Sequence, residues 1–199
     1  MALVARRTPE VQLWALANQI GPSACRIYGA DVSVADSIVE AGQACIAQQG
    51  LPDVVIANAG VSIGMGTGML EDLDVMRQTF AVNNIGMAAT FHPFVEAMSR
   101  RGSGVLVGIG SIAGIRGLPG YGAYCASKAA VIAYCESLRG ELEAFAEKAF
   151  AVIEAGKSYC VIPWQMGIVA KMLRILPNAL FDRALTGRPR KARQKPPGI

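Results

Sequence analysis

Residues 119–130 read PGYGAYCASKAA, and the interpretation of the whole chain starts from them. A helix over residues 121–139 would place Tyr124 and Lys128 on one face, because residues four apart in a helix are neighbours. A fixed ammonium favours the charged phenolate form of a nearby phenol. A tyrosine paired with a lysine in this way can give or take a proton near neutral pH. The pattern predicts proton transfer at an alcohol or a carbonyl.

Ser111 stands upstream of this segment, at the end of an apolar run over residues 104–109. A serine at the end of a strand is ordinarily a turn former, although here it could also hold a substrate oxygen beside the phenol. A single Tyr-x-x-x-Lys pair is weak by itself, and a tyrosine in an alanine-rich helix often belongs to the core. Tyr121 lies in the same segment but has no lysine four residues later. The interpretation therefore depends on neighbouring motifs.

Three further motifs precede residues 119–130 in a definite order. Residues 54–60 read VVIANAG, residues 82–86 read VNNIG, and residues 110–114 read GSIAG. In order and spacing, the set resembles the short-chain dehydrogenase/reductase family. The resemblance implies an α/β fold, a Rossmann-like doubly wound parallel sheet in three α/β/α layers. It also implies an oxidoreductase that interconverts a carbonyl and a secondary alcohol by hydride transfer with a nicotinamide cofactor.

The resemblance also implies roles for four residues. Tyr124 would be the general acid in reduction and the base in oxidation, and Lys128 would assist it and bind the nicotinamide ribose. Ser111 would orient the substrate oxygen. Asn83, three residues before Gly86, would bind a water through its backbone and relay protons. An asparagine that merely bends a helix by local hydrogen bonding is the alternative for this position.

The choice of cofactor rests on the end of the first strand. An acidic residue there would bind the ribose 2′-hydroxyl of NAD, but this chain has Ala5 followed by Arg6 and Arg7. A guanidinium can pair with a 2′-phosphate, so NADP(H) is preferred and NAD(H) is second, with Arg6 as the leading contact. A solvated basic turn is the alternative. Asp31 and Val32 resemble the pair that contacts adenine, although Asp31 could equally cap a turn.

Residues 58–60, Asn58, Ala59 and Gly60, follow the strand of the VVIANAG motif. By resemblance they would line the cofactor cleft, and Gly60 would allow a close backbone approach. A plain turn from strand to loop is the alternative. Residues 60–68 are also glycine-rich, but they follow a later strand and read as a loop at the edge of the cofactor site.

Apolar runs alternate with helical patterns, which predicts βαβ units and one Rossmann-like domain over residues 1–163. The predicted strands cover residues 1–5, 25–28, 54–57, 104–109 and 159–162. The predicted helices cover residues 9–19 with Pro9 in the first turn, 33–49 with Ser33 as cap and Gly50 at the end, about 70–100 with a break near Pro93, and 121–139.

Two segments typical of the family have no counterpart in the sequence. These are the opening strand with its glycine-rich turn, and the segment that would follow the helix near residues 143–144. We expect the sequence to consist of joined segments of a longer protein, with a natural shortened form as the alternative.

Composition limits the function classes. The chain has one histidine, His92, so a histidine-based metal site or a Ser-His-Asp triad has little material, and no metal is predicted. The five cysteines are scattered, which favours free thiols in a reducing, cytoplasmic compartment. No apolar run reaches the roughly 18 residues that a membrane helix needs.

The net charge of +4 is concentrated near the end of the chain. Residues 164–186 predict two short amphipathic helices, in which Lys171 and Arg174 oppose an apolar face formed by Ile168, Val169, Met172, Leu173 and Leu176. This face could cover a substrate pocket, form an oligomer contact or lie on a membrane surface. Residues 187–199 predict a basic disordered tail with no sign of nucleic-acid binding. By resemblance, the partners are a small carbonyl or alcohol substrate and a homodimer or homotetramer partner.

Two other classes of function remain open. A relative on the same fold could use the bound cofactor for epimerisation or dehydration. A non-catalytic, membrane-associated binding protein is the second, since fold does not fix function. The presence of Ser111, Tyr124 and Lys128 argues against the latter.

Overall fold

The computed structural model describes residues 1–146 and 164–186, and its strands pair in parallel. The two pairs are β1 (Ala2–Ala5) with β2 (Arg26–Gly29), and β3 (Val54–Ala57) with β4 (Val105–Gly108). Helices connect the members of each pair, which confirms the predicted α/β class. The predicted strand over residues 159–162 and the basic tail lie outside the described residues.

The helices are α1 (Thr8–Ala17), α2 (Ala35–Gln49), α3 (Leu73–Phe80), α4 (Gly86–Arg101), α5 (Gly122–Ala146), α6 (Trp164–Ile175) and α7 (Asn178–Leu185). One turn of 3₁₀-helix precedes α3 at Leu70–Asp72, and another covers Ile112–Gly114. A π-helical turn at Ala81–Ile85 precedes α4. As predicted, Pro9 lies in the first turn of α1, where its missing N–H leaves no helical bond unmade.

The predicted start of α2 is wrong by two residues. The helix begins at Ala35, and Ser33 does not cap it. The backbone N–H and the Oγ of Ser33 donate instead to Oδ1 of Asp31, at 2.9 and 2.7 Å. This local turn competes with the helix for Ser33, as Asp and Ser side chains often do. The other end is as predicted, because Gly50 has a φ of 81° and donates its N–H to the carbonyl of Ile46.

The predicted helix break near Pro93 is also wrong. Helix α4 continues through Pro93, and the irregular part of this segment is the π-helical turn. A Cβ at Gly42 of α2 would lie 2.8 Å from Cγ of Pro93 and 3.3 Å from Cε2 of Phe94. Helix α2 thus packs closely on Pro93, which lies inside α4 at a position where proline ordinarily breaks a helix.

The chain divides into two compact units. The first consists of Met1–Ala59 and Ala81–Gly108, and the second of Gly60–Phe80 and the described residues from Ile109 onward. The predicted domain boundary between residues 163 and 164 stays a prediction, because residues 147–163 lie outside the described part.

Each unit has its own apolar core. In the first unit, Ala30, Ile38, Ala41 and Ala89 are buried together, with Tyr28, Val32, Ala35 and Val39 packed around them. In the second unit, Met65, Val75 and Ala123 form the buried cluster. The backbone N–H of Ala123 donates to Sδ of Met65 at 3.1 Å, which fixes the start of α5 against the glycine-rich loop.

Several apolar side chains of the strands remain exposed. Val55 and Ala57 of β3 are buried, whereas Val54 and Ile56 on its other face are 51% and 57% exposed. In the first unit, β1 and α1 also line an open apolar cleft of about 380 Å³. Its walls are Leu3, Val4, Ala5, Glu10, Val11 and Trp14. Parallel sheets are usually covered on both faces, so these strands present more apolar surface than is common.

The predicted helices at the end of the chain are present as α6 and α7. The predicted apolar face of α6 is only partly covered, since Ile168 is 51% and Met172 59% exposed while Leu173 is half-buried. Ala170 is the buried residue of this helix's described side chains. Across residues 1–146 and 164–186, the structure has no helix whose length and apolar character would allow it to cross a membrane.

Candidate active site

Ser111 begins the 3₁₀ turn that follows β4. Its backbone is extended, with φ −158°, and its Oγ accepts a hydrogen bond from the N–H of Ala113 at 3.2 Å. The serine thus caps the turn through its own side chain, as serine does at the start of a helix. It is half-buried, and its hydroxyl keeps a proton to donate.

Tyr124 and Lys128 lie one turn apart on α5, as predicted. Lys128 Nζ lies 5.9 Å from the centre of the Tyr124 ring and donates to the carbonyl oxygen of Ile109 at 2.6 Å. Lys128 is only 6% exposed, and this burial lowers the pKa of its ammonium. Tyr124 is half-buried and remains partly accessible. The pair therefore combines a buried cation with an accessible phenol.

Gly114 is the point of contact between the 3₁₀ turn that begins at Ser111, here called the serine turn, and α5, the helix that carries Tyr124. A Cβ at this position would lie 2.6 to 2.8 Å from the backbone C and O of Lys128 and the N of Ala129. The 3₁₀ turn therefore rests directly on the backbone of α5. The sequence analysis included Gly114 in the GSIAG motif but did not predict this packing role. The feature that could have indicated it is the glycine three residues after the serine.

Asn83 belongs to the first unit, so it is described apart from Ser111, Tyr124 and Lys128. It lies in the π-helical turn and is only 2% exposed. Turns of this kind inside helices occur often at functional sites, because they displace backbone groups from the regular hydrogen-bond pattern. The relay role implied for Asn83 stays a prediction.

The predicted residues for the adenosine end of the cofactor also belong to the first unit. Arg6 Nη1 lies 3.6 Å from Oδ2 of Asp31, and Arg7 Nη1 lies 3.3 Å from Oε1 of Glu10. Both arginine side chains are at least 70% exposed. Hydrogen bonds from Ser33 and, more weakly, the charge of Arg6 hold the pKa of the Asp31 carboxyl below its usual range. Asp31 therefore acts as the turn former that the sequence left as an alternative.

Val32 meets Gly86, the last residue of the VNNIG motif. A Cβ at Gly86 would lie 2.4 Å from the carbonyl oxygen of Val32. The start of α4 therefore packs directly on the loop after β2. Asn58 and Ala59 follow β3 in the first unit, and Gly60 begins the second; all three are exposed.

The two units carry groups of different chemistry. Exposed guanidinium groups at the end of β1 suit a phosphate, and a serine hydroxyl with a Tyr-Lys pair suits a substrate oxygen. No group of three or more His, Cys, Asp or Glu side chains with metal-binding geometry occurs among the described residues.

Comparison with known proteins defines the family. The model of the family described as short chain dehydrogenase matches residues 1–152. The chain belongs to the short-chain dehydrogenase family, a family of oxidoreductases.

Individual relatives differ in how much of their length the chain covers. An uncharacterized oxidoreductase of Myxococcus xanthus is 31% identical over 214 residues, which cover 90% of this chain and 83% of that protein. Human 17-beta-hydroxysteroid dehydrogenase type 1 is 34% identical over 131 residues, covering 64% of this chain and 38% of that protein. The chain thus spans well under two thirds of the human relative.

A solved structure supports the same assignment. The alcohol dehydrogenase of the archaeon Thermococcus sibiricus, complexed with 5-hydroxy-NADP, superposes with a TM-score of 0.64 at 26% identity. The match covers 71% of this chain and 56% of that one.

Proposed function

We propose that the protein is an NADP(H)-dependent oxidoreductase that interconverts a carbonyl and a secondary alcohol. The observation that carries the proposal is the buried Lys128 ammonium, one helical turn from Tyr124, on a helix against which the Ser111 turn is packed. Three groups suited to one proton transfer therefore lie in one unit of the fold.

Tyr124 donates a proton to the substrate oxygen during reduction and accepts it during oxidation. Lys128 places a positive charge 5.9 Å from the centre of the Tyr124 ring and would also bind the nicotinamide ribose. Ser111 donates a hydrogen bond to the substrate oxygen and stabilises the negative charge that develops there. A bound nicotinamide would supply or accept the hydride, and Asn83 would bind a water through its backbone and relay protons toward Lys128.

The cofactor preference rests on charge. Arg6 and Arg7 are exposed at the end of β1, and Ala5 carries no acid that would repel a 2′-phosphate. Arg6 would exchange its contact with Asp31 for the phosphate, since exposed ion pairs are weak. Asp31, Val32, Asn58, Ala59 and Gly60 would line the remainder of the cofactor site. The relative from Thermococcus sibiricus was solved with an NADP derivative, which supports binding of a nicotinamide cofactor.

A hydrophobic substrate, a homo-oligomer and a cytoplasmic location complete the proposal. The human relative is a hydroxysteroid dehydrogenase by name, and the apolar side chains of α6 would suit an apolar substrate or a second subunit. Contact of α6 and α7 with a membrane surface is the alternative use of these side chains. Cys25, Cys45 and Cys125 are free thiols, which suits a reducing compartment.

Replacement of one tyrosine tests the function. Tyr124→Phe removes the proton that the mechanism transfers, so turnover should fall by at least about a hundredfold. The measurement is NADPH and NADH consumption with a panel of ketones and aldehydes, together with titration of both cofactors. Tyr121→Phe is the matched control, because it removes the same hydroxyl from the same segment.

The expected pattern is loss of turnover in Tyr124→Phe with unchanged NADPH affinity, and near wild-type turnover in Tyr121→Phe. Near wild-type turnover in Tyr124→Phe would refute the role of Tyr124. An active wild-type protein that converts substrate without net consumption of NADPH would favour epimerisation or dehydration.

A further inference from the structure

Arg116 follows the serine turn, and its guanidinium binds the junction of α6 and α7. Its Nη1 donates to the carbonyl oxygens of Leu173 at 2.7 Å and Leu176 at 2.5 Å. Its Nη2 donates to Oδ1 of Asn178 at 2.6 Å. All of these residues belong to the second unit. We call residues 173–181 the helix elbow.

The helix elbow presents carbonyl oxygens and an aromatic ring, and both are groups that a cation can bind. The last carbonyls of a helix have no N–H partner within the helix, and the helix dipole makes that end negative. Arg116 meets such carbonyls at the end of α6. Its guanidinium also lies 4.1 Å from the centre of the Phe181 ring of α7, a cation–π contact. A planar guanidinium with several donors suits this combination better than a lysine ammonium, which is a compact point charge.

The serine turn is also fixed by α5. Gly114 rests on the backbone of Lys128, and the Oγ of Ser111 accepts from the N–H of Ala113. Residues 111–116 therefore have one anchor on α5, at Gly114, and a second on the helix elbow, at Arg116. Only a few residues separate Ser111 from Arg116, so a movement of the helix elbow would displace Ser111.

We propose that Arg116 is a positioning residue that couples the helix elbow to the turn that holds Ser111. The inference rests on the proposed function, in which Ser111 orients the substrate oxygen. When Arg116 binds the helix elbow, the serine turn is fixed at both anchors and the Ser111 hydroxyl is held in place. Small displacements of a positioned group have large effects on catalysis, so the elbow influences how well a substrate is held.

The experiment compares the full chain with Arg116→Ala, Arg116→Lys and the control Arg174→Ala. Arg174 is an exposed arginine within the helix elbow whose side chain makes none of the contacts given above, so its removal deletes the same charge from the same segment and leaves those contacts in place. Hydrogen exchange is followed in residues 109–115 and 173–181. Values of kcat and KM for a carbonyl substrate and the Kd for NADPH are measured on the same samples.

Arg116→Ala should speed exchange by about tenfold or more in both segments, because each loses an anchor. It should lower kcat/KM by about tenfold or more and change the Kd for NADPH by less than about twofold. Arg116→Lys should restore part of the exchange protection and part of kcat/KM, and Arg174→Ala should resemble the wild type. If Arg116→Ala does not fold, Asn178→Ala removes one elbow contact and gives the same comparison.

Faster exchange confined to residues 173–181, with residues 109–115 and kcat/KM unchanged, would overturn the proposal. Arg116 would then only fasten the elbow. An equal effect of Arg174→Ala would overturn it as well, since loss of charge would be the cause. If the wild-type protein consumes no NADPH with any carbonyl, the proposed function fails, and exchange in residues 109–115 alone decides whether the coupling exists.

Discussion

Lys128 is held almost entirely out of water, with its ammonium donating to the carbonyl of Ile109. Burial lowers the pKa of this ammonium below its ordinary value, because desolvation disfavours the charged form. At pH values below the lowered pKa, the folded and unfolded states both hold the proton, and the cost of burying the charge is complete. Between the lowered and the ordinary pKa, the unfolded state holds more protons, so the free energy of unfolding rises with pH.

The variant Lys128→Met has no ammonium at this position, so its free energy of unfolding lacks this pH dependence. The free energy of unfolding of the wild type, minus that of Lys128→Met, should therefore increase as the pH rises from the lowered pKa toward the ordinary lysine pKa of 10.5, by at most about 1.4 kcal/mol per pH unit. Urea denaturation followed by circular dichroism at several pH values measures the difference. A difference that stays constant or falls over this range would show that the ammonium is not desolvated in solution.

At the same scale, Ser111, Tyr124 and Lys128 could be predicted as site residues because their chemistry is carried by the side chains themselves, and their roles stay predictions. Sequence reasoning missed the roles of Gly114 and Arg116, because these depend on which backbone atoms lie opposite them in space. The sequence alone does not show whether a glycine in a motif or an arginine in a loop contacts a helix or water. The placement of Arg6 beside Asp31 was missed for the same reason.

The contact between the serine turn and α5 is a feature of whole elements. Gly114→Ala would place a methyl group within 2.8 Å of three backbone atoms of α5, which cannot move aside as a side chain can. We expect a loss of about 1–3 kcal/mol in the free energy of unfolding, as for other overpacked sites.

Gly140→Ala is the matched control on the same helix. Gly140 is exposed within α5, and a Cβ there would meet nothing within 4 Å. Alanine should therefore raise the free energy of unfolding by about 0.5–1 kcal/mol, because glycine is the poorer helix former. Thermal and urea unfolding of the two variants should move in opposite directions. Wild-type stability in Gly114→Ala would contradict the close contact.

Elements were predictable where periodicity and local chemistry agreed. The strands and the helices α1, α2 and α5 follow from apolar runs, Pro9 and Gly50. One error has a local physical cause, because the Asp31–Ser33 turn displaced the start of α2. The other lies at Pro93, where α4 continues and α2 packs closely through Gly42. The π-helical turn around Asn83 leaves no periodicity that separates it from an ordinary helix.

For the molecule as a whole, exposed apolar surface is the property with a measurable consequence. Ile168 and Met172, four residues apart on α6, are more than half exposed, as are Val54 and Ile56 of β3. Apolar side chains exposed at neighbouring positions of a helix face mark a contact with another molecule. We therefore expect the protein to self-associate as its concentration rises.

The double variant Ile168→Glu, Met172→Glu should reduce the apparent mass in sedimentation velocity, because the added charges oppose burial of α6. Gln165→Glu with Thr186→Glu adds the same charge at exposed polar positions and should sediment like the wild type. Equal behaviour of the two variants would indicate that α6 is not the contact. Composition gave the net charge and the apolar fraction, but not which apolar residues remain uncovered, because that depends on tertiary packing.

The contact between Gly42 and Pro93 also constrains how the chain can change over generations. The ring of Pro93 occupies the space that any side chain at residue 42 would need, and a proline ring cannot rotate away. Alanine at residue 42 is therefore harmful while proline remains, and becomes acceptable once residue 93 is a smaller or more flexible residue. The two substitutions have an order: residue 93 must change first, and a lineage that has filled residue 42 cannot readily return to proline.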